Sequence, residues 1–335
     1  MPVKHWSFAG LMLTDWCNAR CESCYLCCGP DRTGRMDSSQ ALGYWHGLVE
    51  ASPHGCRVHL SGGEPFGDWE LLIALCRRAA GEGLGPLEKV ETNGFWACDV
   101  PTVKDRLRQL DAAGMGKLVI SCDPYHQQFV PIRRCRLLAA AAEEVLGGRR
   151  VQVRWRQWLA DGFDTHELTD QQRWDLYAAY AAGGRDRLTG RAAERLAEKL
   201  PCRPLSDFAD SPCKEAILRS RHVHVDPCGR VMPGVCAGIV LGQADAQSIS
   251  EIWQRLSRDY ASRLIVGALA ERGPAGLLAL ARPAGFLPRQ GYAGKCHLCW
   301  HVRKHLVQAG MFANELAPAW LYGDAAGEPQ AGREA

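Results

Sequence analysis

The chain lacks the features that would place it in a membrane, on a nucleic acid or outside the cell. No apolar run approaches the ~20 residues that a bilayer span needs. Charge of one sign is barely in excess, with 40 Lys and Arg against 37 Asp and Glu in 335 residues. Neither nucleic acid nor a membrane surface is therefore expected as a partner. The start, Met1-Pro2-Val3-Lys4-His5-Trp6, has no charged segment running into an apolar stretch and a small-residue cleavage site. A cytoplasmic protein is the expectation. Internal repeats are missing too.

Cysteine, by contrast, is plentiful, with 16 residues. In a short secreted chain that number would mean a disulfide framework. Here hydrophobic residues make up 47% of a long chain, enough for a core that folds without staples. Thiols in a reducing compartment then point to metal or cluster ligands, and their positions decide which.

Apolar runs and periods over the first ~160 residues alternate between strand and helix. Strands are expected at Ser7–Leu13, Cys56–Leu60, Leu87–Glu91, Lys117–Ser121 and Arg150–Gln157. Helices are expected near Ser38–Ala51, Asp68–Ala80, Val103–Ala113 and Ile132–Leu146. Repeated β–α units of this length imply an α/β fold, a partial (β/α) barrel of five or six parallel strands, the sixth not being placed. Most of these strands end in polar or glycine-rich turns, where ligands of parallel sheets bind. Residues 161–212 read as a helical connecting region. Residues 213–310 read as a small cysteine-rich α/β C-terminal appendage. Its hairpin is expected at His222–Val225 and Arg230–Met232 around Asp226-Pro227-Cys228-Gly229. Two helices are expected within Ile249–Ala281 and one from Cys299 to Ala309, and the tail 323–335 is expected to be disordered.

Two cysteine constellations carry chemistry. In the first, Cys17, Cys21 and Cys24 follow the first strand with three and then two residues between them. Three thiolates from one loop suit three corners of a four-iron cluster and leave one iron open to a chelating small molecule. Leu60-Ser61-Gly62-Gly63-Glu64-Pro65 ends the second strand. Its glycines permit close approach of a ligand, and Glu64 can accept from an ammonium group. The second constellation is Cys213, Cys236 and the pair Cys296 and Cys299, which opens a helix where backbone N–H groups favour anionic sulfur.

In its first constellation the sequence resembles the radical S-adenosylmethionine (SAM) superfamily. Cys17, Cys21 and Cys24 match its three-cysteine motif, and Ser61-Gly62-Gly63-Glu64-Pro65 matches its amino-group motif. Glu91-Thr92-Asn93-Gly94 and Ile120-Ser121-Cys122-Asp123 look like its third and fourth strand ends. The resemblance covers roughly residues 7–158. It implies a catalytic 4Fe-4S cluster on the three cysteines, SAM held by Gly62, Gly63, Glu64, Asn93, Ser121 and Asp123, and reductive cleavage to a 5′-deoxyadenosyl radical. It also implies a low-potential donor such as flavodoxin or ferredoxin. Ser23 stands where the family usually has an aromatic residue beside the adenine, with Tyr25 a substitute.

The second constellation resembles a twitch domain, a shortened relative of the SPASM domain, over residues 213–305. That implies a second 4Fe-4S cluster on Cys213, Cys236, Cys296 and Cys299, with Cys228 able to replace one of them. A structural zinc on the same four thiolates is the rival reading. The expected activity is oxidation or modification of a small molecule or peptide, with methyl or group transfer as an alternative. A non-catalytic iron–sulfur sensor or scaffold is the alternative from another class. Too few residues precede Cys17 for a peptide-recognition module there, which lowers a leader-dependent role. Cys122, Tyr125 and His126 are weak candidates for catalytic residues; Cys27 and Cys28 are expected simply to pack. An inward arginine on the fifth strand, Arg154 or Arg156, needs a carboxylate partner.

Overall fold

Helix starts along the chain are set by side chains that accept from the first free N–H groups. In the computed structural model, which describes residues 3–184 and 186–323, Asp37, Asp68 and Asp99 cap three core helices in this way. The core runs β1 (Phe8–Thr14), α1 (Ser38–Glu50), β2 (Arg57–Gly62), α2 (Trp69–Gly81), β3 (Leu87–Thr92), α3 (Val100–Ala112), β4 (Lys117–Ile120), α4 (Ile132–Leu146) and β5 (Val151–Val153). All five expected strands are present, within a residue or two except for the last.

The fifth is short because the chain turns after its final ladder bond, Arg154 N–H to the Ile120 carbonyl, into α5 (Arg156–Asp161). Arg154 is drawn off by two carboxylates, Asp123 at 3.3 Å and Asp186 at 2.6 Å. Its partners are thus internal. Arg156, on the opposite side, pairs with Glu143 at the surface.

Beyond the core come α6 (Asp170–Ala182), with a Thr169–Gln172 capping box, then β6 (Arg203–Pro204) and α7 (Lys214–Ile217). The hairpin β7 (His222–Val225) and β8 (Arg230–Pro233) follows, then β9 (Gly242–Gln243). The expected pair of helices is three, α8 (Ile249–Asp259), α9 (Leu264–Arg272) and α10 (Pro274–Ala281). Gly273, at φ +60°, and Pro274 break the apolar run between the last two. β10 (Gly291–Tyr292) pairs with β6, and α11 (Lys295–Gln308) begins four residues before the helix expected at Cys299.

The main sheet is open, in the order β5-β4-β3-β2-β1-β7-β8-β9. Six neighbours, β5 through β7, are parallel; β8 and β9 continue it antiparallel. The sixth parallel strand is therefore the first strand of the hairpin, and strand pairing crosses residue 213. Alternation sends Val58, Leu60, Leu118 and Ile120, all fully buried, toward the apolar core under the helices. Val119, Ser121, Gln152 and Arg154 face the concave side and line a cavity. No helix among the described residues is long and apolar enough to cross a membrane. Apart from Gly323, the expected tail lies outside the described residues.

Candidate functional site

Cys17, Cys21 and Cys24 lie in the loop after β1 and line one cavity of about 300 Å³. Backbone bonds hold that loop to the turn after β2: Gly63 N–H donates to the Thr14 carbonyl and Glu64 N–H to the Trp16 carbonyl. The approach is so close that a Cβ on Gly63 would stand 1.9 Å from the Trp16 oxygen. Gly62 has φ +128°. The two glycines are thus required by the cysteine loop itself, besides any ligand.

Gly62 and Gly63 line the cavity, as do Ser61, Asn93 and Ser121. Glu64 is placed differently. Its carboxylate is buried and accepts from Phe66 N–H (3.1 Å), the Thr92 hydroxyl (2.9 Å) and Asn93 N–H (2.6 Å). Burial pushes its pKa up to about 7, against these three donors. Its side chain ties the β2 and β3 turns together and is not part of the cavity wall. Asn93 in turn donates from its amide to Asn18 (2.8 Å), beside the Cys17 sulfur at 3.7 Å.

Asp123 is also behind the wall. It accepts from His126 Nδ1 at 2.7 Å and pairs with Arg154, and these two side chains line the cavity. Burial would raise the Asp123 carboxyl, but His126 and Arg154 outweigh it and hold it down at about 2. His126 is disfavoured as a cation by burial, yet Asp123 and then Cys21 carry its pKa well above the ordinary value. Cys122 and Tyr125 are turned away. Cys122 sits on the helix side of β4, in contact with Gln127 and Cys135, and Tyr125 donates to Asp186. The strand's period of two puts Ser121 on the concave side and so Cys122 on the other.

Ser23 and Tyr25 both line the cavity, and Arg187 stacks over the Tyr25 ring at 4.9 Å. Cys24 and Cys28 share a hydrogen bond, which lowers Cys24 to about 5 and raises Cys28. Cys27 packs beside them in a left-handed conformation, φ +55°. Residues that the sequence did not signal complete the loop's support. Arg191 donates to the Cys21 and Cys28 carbonyls, and Gly190, φ +59°, leaves room for the Cys24 and Tyr25 carbonyls. The segment expected only to connect thus clasps the cysteine loop.

The donor set suits an iron–sulfur cluster: three thiols free of disulfides on one wall. Ser61 Oγ, buried without a hydrogen-bond partner, leaves bonding capacity on the same wall for a polar ligand.

The fold also gathers Cys213, Cys236, Cys296 and Cys299, from three separate segments. Burial raises Cys236 to about 12 and Cys213 to about 11; Cys236 also feels the charges of the other three thiols, and Cys213 those of Cys296 and Cys299. Arg303 stands among them, buried, hydrogen-bonded to Cys299, to the Ala237 carbonyl and to the Tyr322 hydroxyl. It has no carboxylate partner among the described residues, and its Nε has no partner at all. A buried guanidinium facing four thiols suits an anionic centre, which four thiolates around a metal or cluster would make. Its spacing of four from Cys299 on one helix was the available signal. Cys228 is exposed in the hairpin turn. Cys56, Cys76 and Cys135 are buried in the core, while Cys98 is exposed.

A larger groove of about 570 Å³ lies elsewhere, lined by Arg230, Arg255, Arg263 and Glu315 but by no cysteine.

No family model matches the sequence. One curated relative is YydG of Bacillus subtilis (strain 168), provisionally named a peptide biosynthesis protein. It is 31% identical over 120 residues, covering 34% of this chain and 35% of that protein. The match thus spans about a third of the relative's length. Solved structures that match include BtrN in complex with AdoMet and 2-DOIA, at 18% identity and TM-score 0.46 over 78% of this chain and 91% of that one. Streptococcus suis SuiB bound to precursor peptide SuiA matches at 13% identity and TM-score 0.38, over 75% and 65%. In its three-cysteine loop, its Gly-Gly-Glu turn and its open parallel sheet, the chain resembles the radical SAM superfamily.

Proposed function

We propose that the chain is a radical SAM enzyme that oxidises or modifies a peptide or small molecule. The observation that carries this reading is the shared cavity of Cys17, Cys21 and Cys24 with Gly62, Gly63, Asn93 and Ser121. Bound there, a reduced 4Fe-4S cluster and SAM would supply one electron to a sulfonium and so a 5′-deoxyadenosyl radical. The chain's own part is placement. Cys17, Cys21 and Cys24 would hold the cluster by three of its irons, with the fourth left for SAM. The glycine turn, which lines the cavity, would bind the ammonium end of SAM, while Glu64 braces that turn from behind. Arg154 and His126, both fixed by Asp123, offer positive charge to a carboxylate of SAM or substrate. Tyr25 supplies an aromatic face at the wall where Ser23 cannot.

Residues 213–310 form an auxiliary domain, in which Cys213, Cys236, Cys296 and Cys299 hold a second 4Fe-4S cluster with Arg303 as counter-charge. Held by four ligands, such a cluster would have no open iron and would supply electron transfer rather than substrate binding. The name of the Bacillus subtilis relative makes a peptide the first substrate to try. A flavodoxin or ferredoxin would serve as electron donor in a cytoplasmic setting.

The test is anaerobic. The reconstituted protein is assayed for iron and sulfide, then for 5′-deoxyadenosine after dithionite and SAM are added. About eight irons per chain with 5′-deoxyadenosine formed is the expected result. Eight irons with no cleavage would make the protein a sensor or scaffold instead, and zinc in place of half the iron would remove the second cluster.

A further inference from the structure

Three histidines that neither cysteine site uses converge on the concave face of the sheet. His59 is on β2, and His222 and His224 are on β7, the strands that flank β1. One nitrogen from each ring lies within 4.8 Å of the others. The Nε2 atoms of His59 and His222 are 3.0 Å apart.

The strand between them is cut away to allow this. Gly10 of β1 is in register with both His59 and His224. A Cβ at Gly10 would stand 2.2 Å from His224 Cδ2 and 2.5 Å from His59 Nε2. Any other residue there would push the rings apart. Gly234 gives His222 the same clearance, for its Cβ would come within 2.3 Å of His222 Nδ1.

Close packing of rings accounts for part of the cluster, since Phe8 lies against His59 and His222. It does not account for a nitrogen from each of three rings converging where the one hydrogen bond, between His59 and His222, serves a single pair. We infer that His59, His222 and His224 form a binding site for one divalent transition metal of the zinc class, which imidazoles favour. A tetrahedral site with bonds of about 2.0–2.1 Å sets ligand nitrogens about 3.3 Å apart, between the 3.0 Å of His59 and His222 and the 4.8 Å within which all three lie. Behind His59, whose Nδ1 makes no hydrogen bond, Glu91 stands 3.3 Å away, near enough for its carboxylate to orient the ring once it ligates. Lys89 holds Glu91 in turn at 2.6 Å. The metal would staple β7, and with it the hairpin, to β2 across a strand that has no side chain at that point. The inference is independent of the cysteine sites: a chain that never cleaves SAM would still bind the metal.

The experiment uses the full chain, anaerobically loaded with iron and sulfide, exposed to Zn²⁺ and desalted. Zinc and iron are counted, and the zinc environment is read by X-ray absorption. About one zinc per chain with a nitrogen shell near 2.0–2.1 Å is expected. His224→Asn is expected to reduce retained zinc at least tenfold with iron unchanged. A sulfur shell near 2.3 Å would put the zinc on cysteines and overturn the site. So would zinc retention in His224→Asn equal to the parent's. Should that variant lose its iron and fold, Glu91→Gln leaves all three rings in place. It is expected to weaken zinc binding about 10- to 100-fold against a competing chelator, and unchanged affinity would overturn the site equally.

Discussion

The two cysteine clusters are built in opposite ways. Cys17, Cys21 and Cys24 come from one loop of eight residues, so the chain brings them together before any long-range contact forms. Cys213, Cys236, Cys296 and Cys299 are spread over 87 positions, counted inclusively from the first to the last, and meet only when the hairpin and α11 have docked. Their electrostatic partners differ accordingly. The first loop is held by backbone carbonyls that accept from Arg191 and from the Gly63 and Glu64 amides, with charge supplied by His126. The second has a fully buried guanidinium, Arg303, among its thiols, with Lys295 acting on Cys213 and Cys296 as well. The local motif is laced by main-chain bonds with Arg191 and His126 at its edge, whereas the cluster assembled from distant segments has its cation, Arg303, fully buried among the thiols.

The largest effect expected is from replacing Cys17, Cys21 and Cys24 together by Ala. 5′-Deoxyadenosine formation should stop, and iron should fall from about eight to about four per chain. A loss of all iron would show that the second cluster depends on the first. Arg303→Met is the converse. Iron should again fall to about four, because four thiolates lose their counter-charge, while SAM cleavage at the first site persists; retention of all the iron would mean that Arg303 serves packing alone.

Gly63→Ala probes how tightly the first loop is laced to its neighbour. With backbone oxygen 1.9 Å from the new Cβ, a loss of about 1–3 kcal/mol is expected in denaturant unfolding, together with weaker SAM binding. Normal stability and binding would mean that the turn can open at no cost. The narrowest effect is Asp123→Asn, read in stability alone and comparable in size, about 2 kcal/mol at neutral pH. Its sign follows from the depressed pKa. The ionised form is favoured by folding, so the contribution is present above the usual carboxyl value and is lost as pH falls from about 3.8 toward about 2. The gap between parent and variant, measured by urea unfolding, should therefore be constant down to about pH 4 and narrow below it. A gap unchanged at lower pH would remove the His126 and Arg154 charges as its cause.

The legible part of the fold was its periodic part. β1 through β4 and the four core helices follow the apolar rhythm, because each has one face in the core and the capping residues mark where helices begin. Arg150–Gln157 read as one strand because Arg154, Trp155 and Arg156 alternate, and alternation does not report that two carboxylates from other segments will bend the chain at Arg154. β7 was readable as a hairpin strand but not as the sixth parallel strand, since pairing with β1 depends on a neighbour over 200 residues earlier. At the site, the cysteine and glycine positions are fixed by spacing. Glu64 and Asp123 read as ligand contacts, while in the fold each braces other groups from behind the cavity wall. That distinction rests on side-chain direction at strand ends, where the period of two gives way to turns. Gly190 and Arg191 gave no signal, for both act on a loop far away in the chain, Gly190 by leaving room for its carbonyls and Arg191 by hydrogen bonds and charge.

By itself the sequence determined what is local: strand and helix order, and a three-thiol loop beside a glycine turn. Local spacing is enough for these because neighbouring residues cannot move far apart. Tertiary structure alone decided which side chains face the cavity and which stand behind it. It also placed Arg303 among four distant thiols and joined the hairpin to the core sheet. Finally, it set three histidines around the space that Gly10 leaves. Each of these depends on contacts between segments whose separation along the chain carries no information about distance until the core has packed.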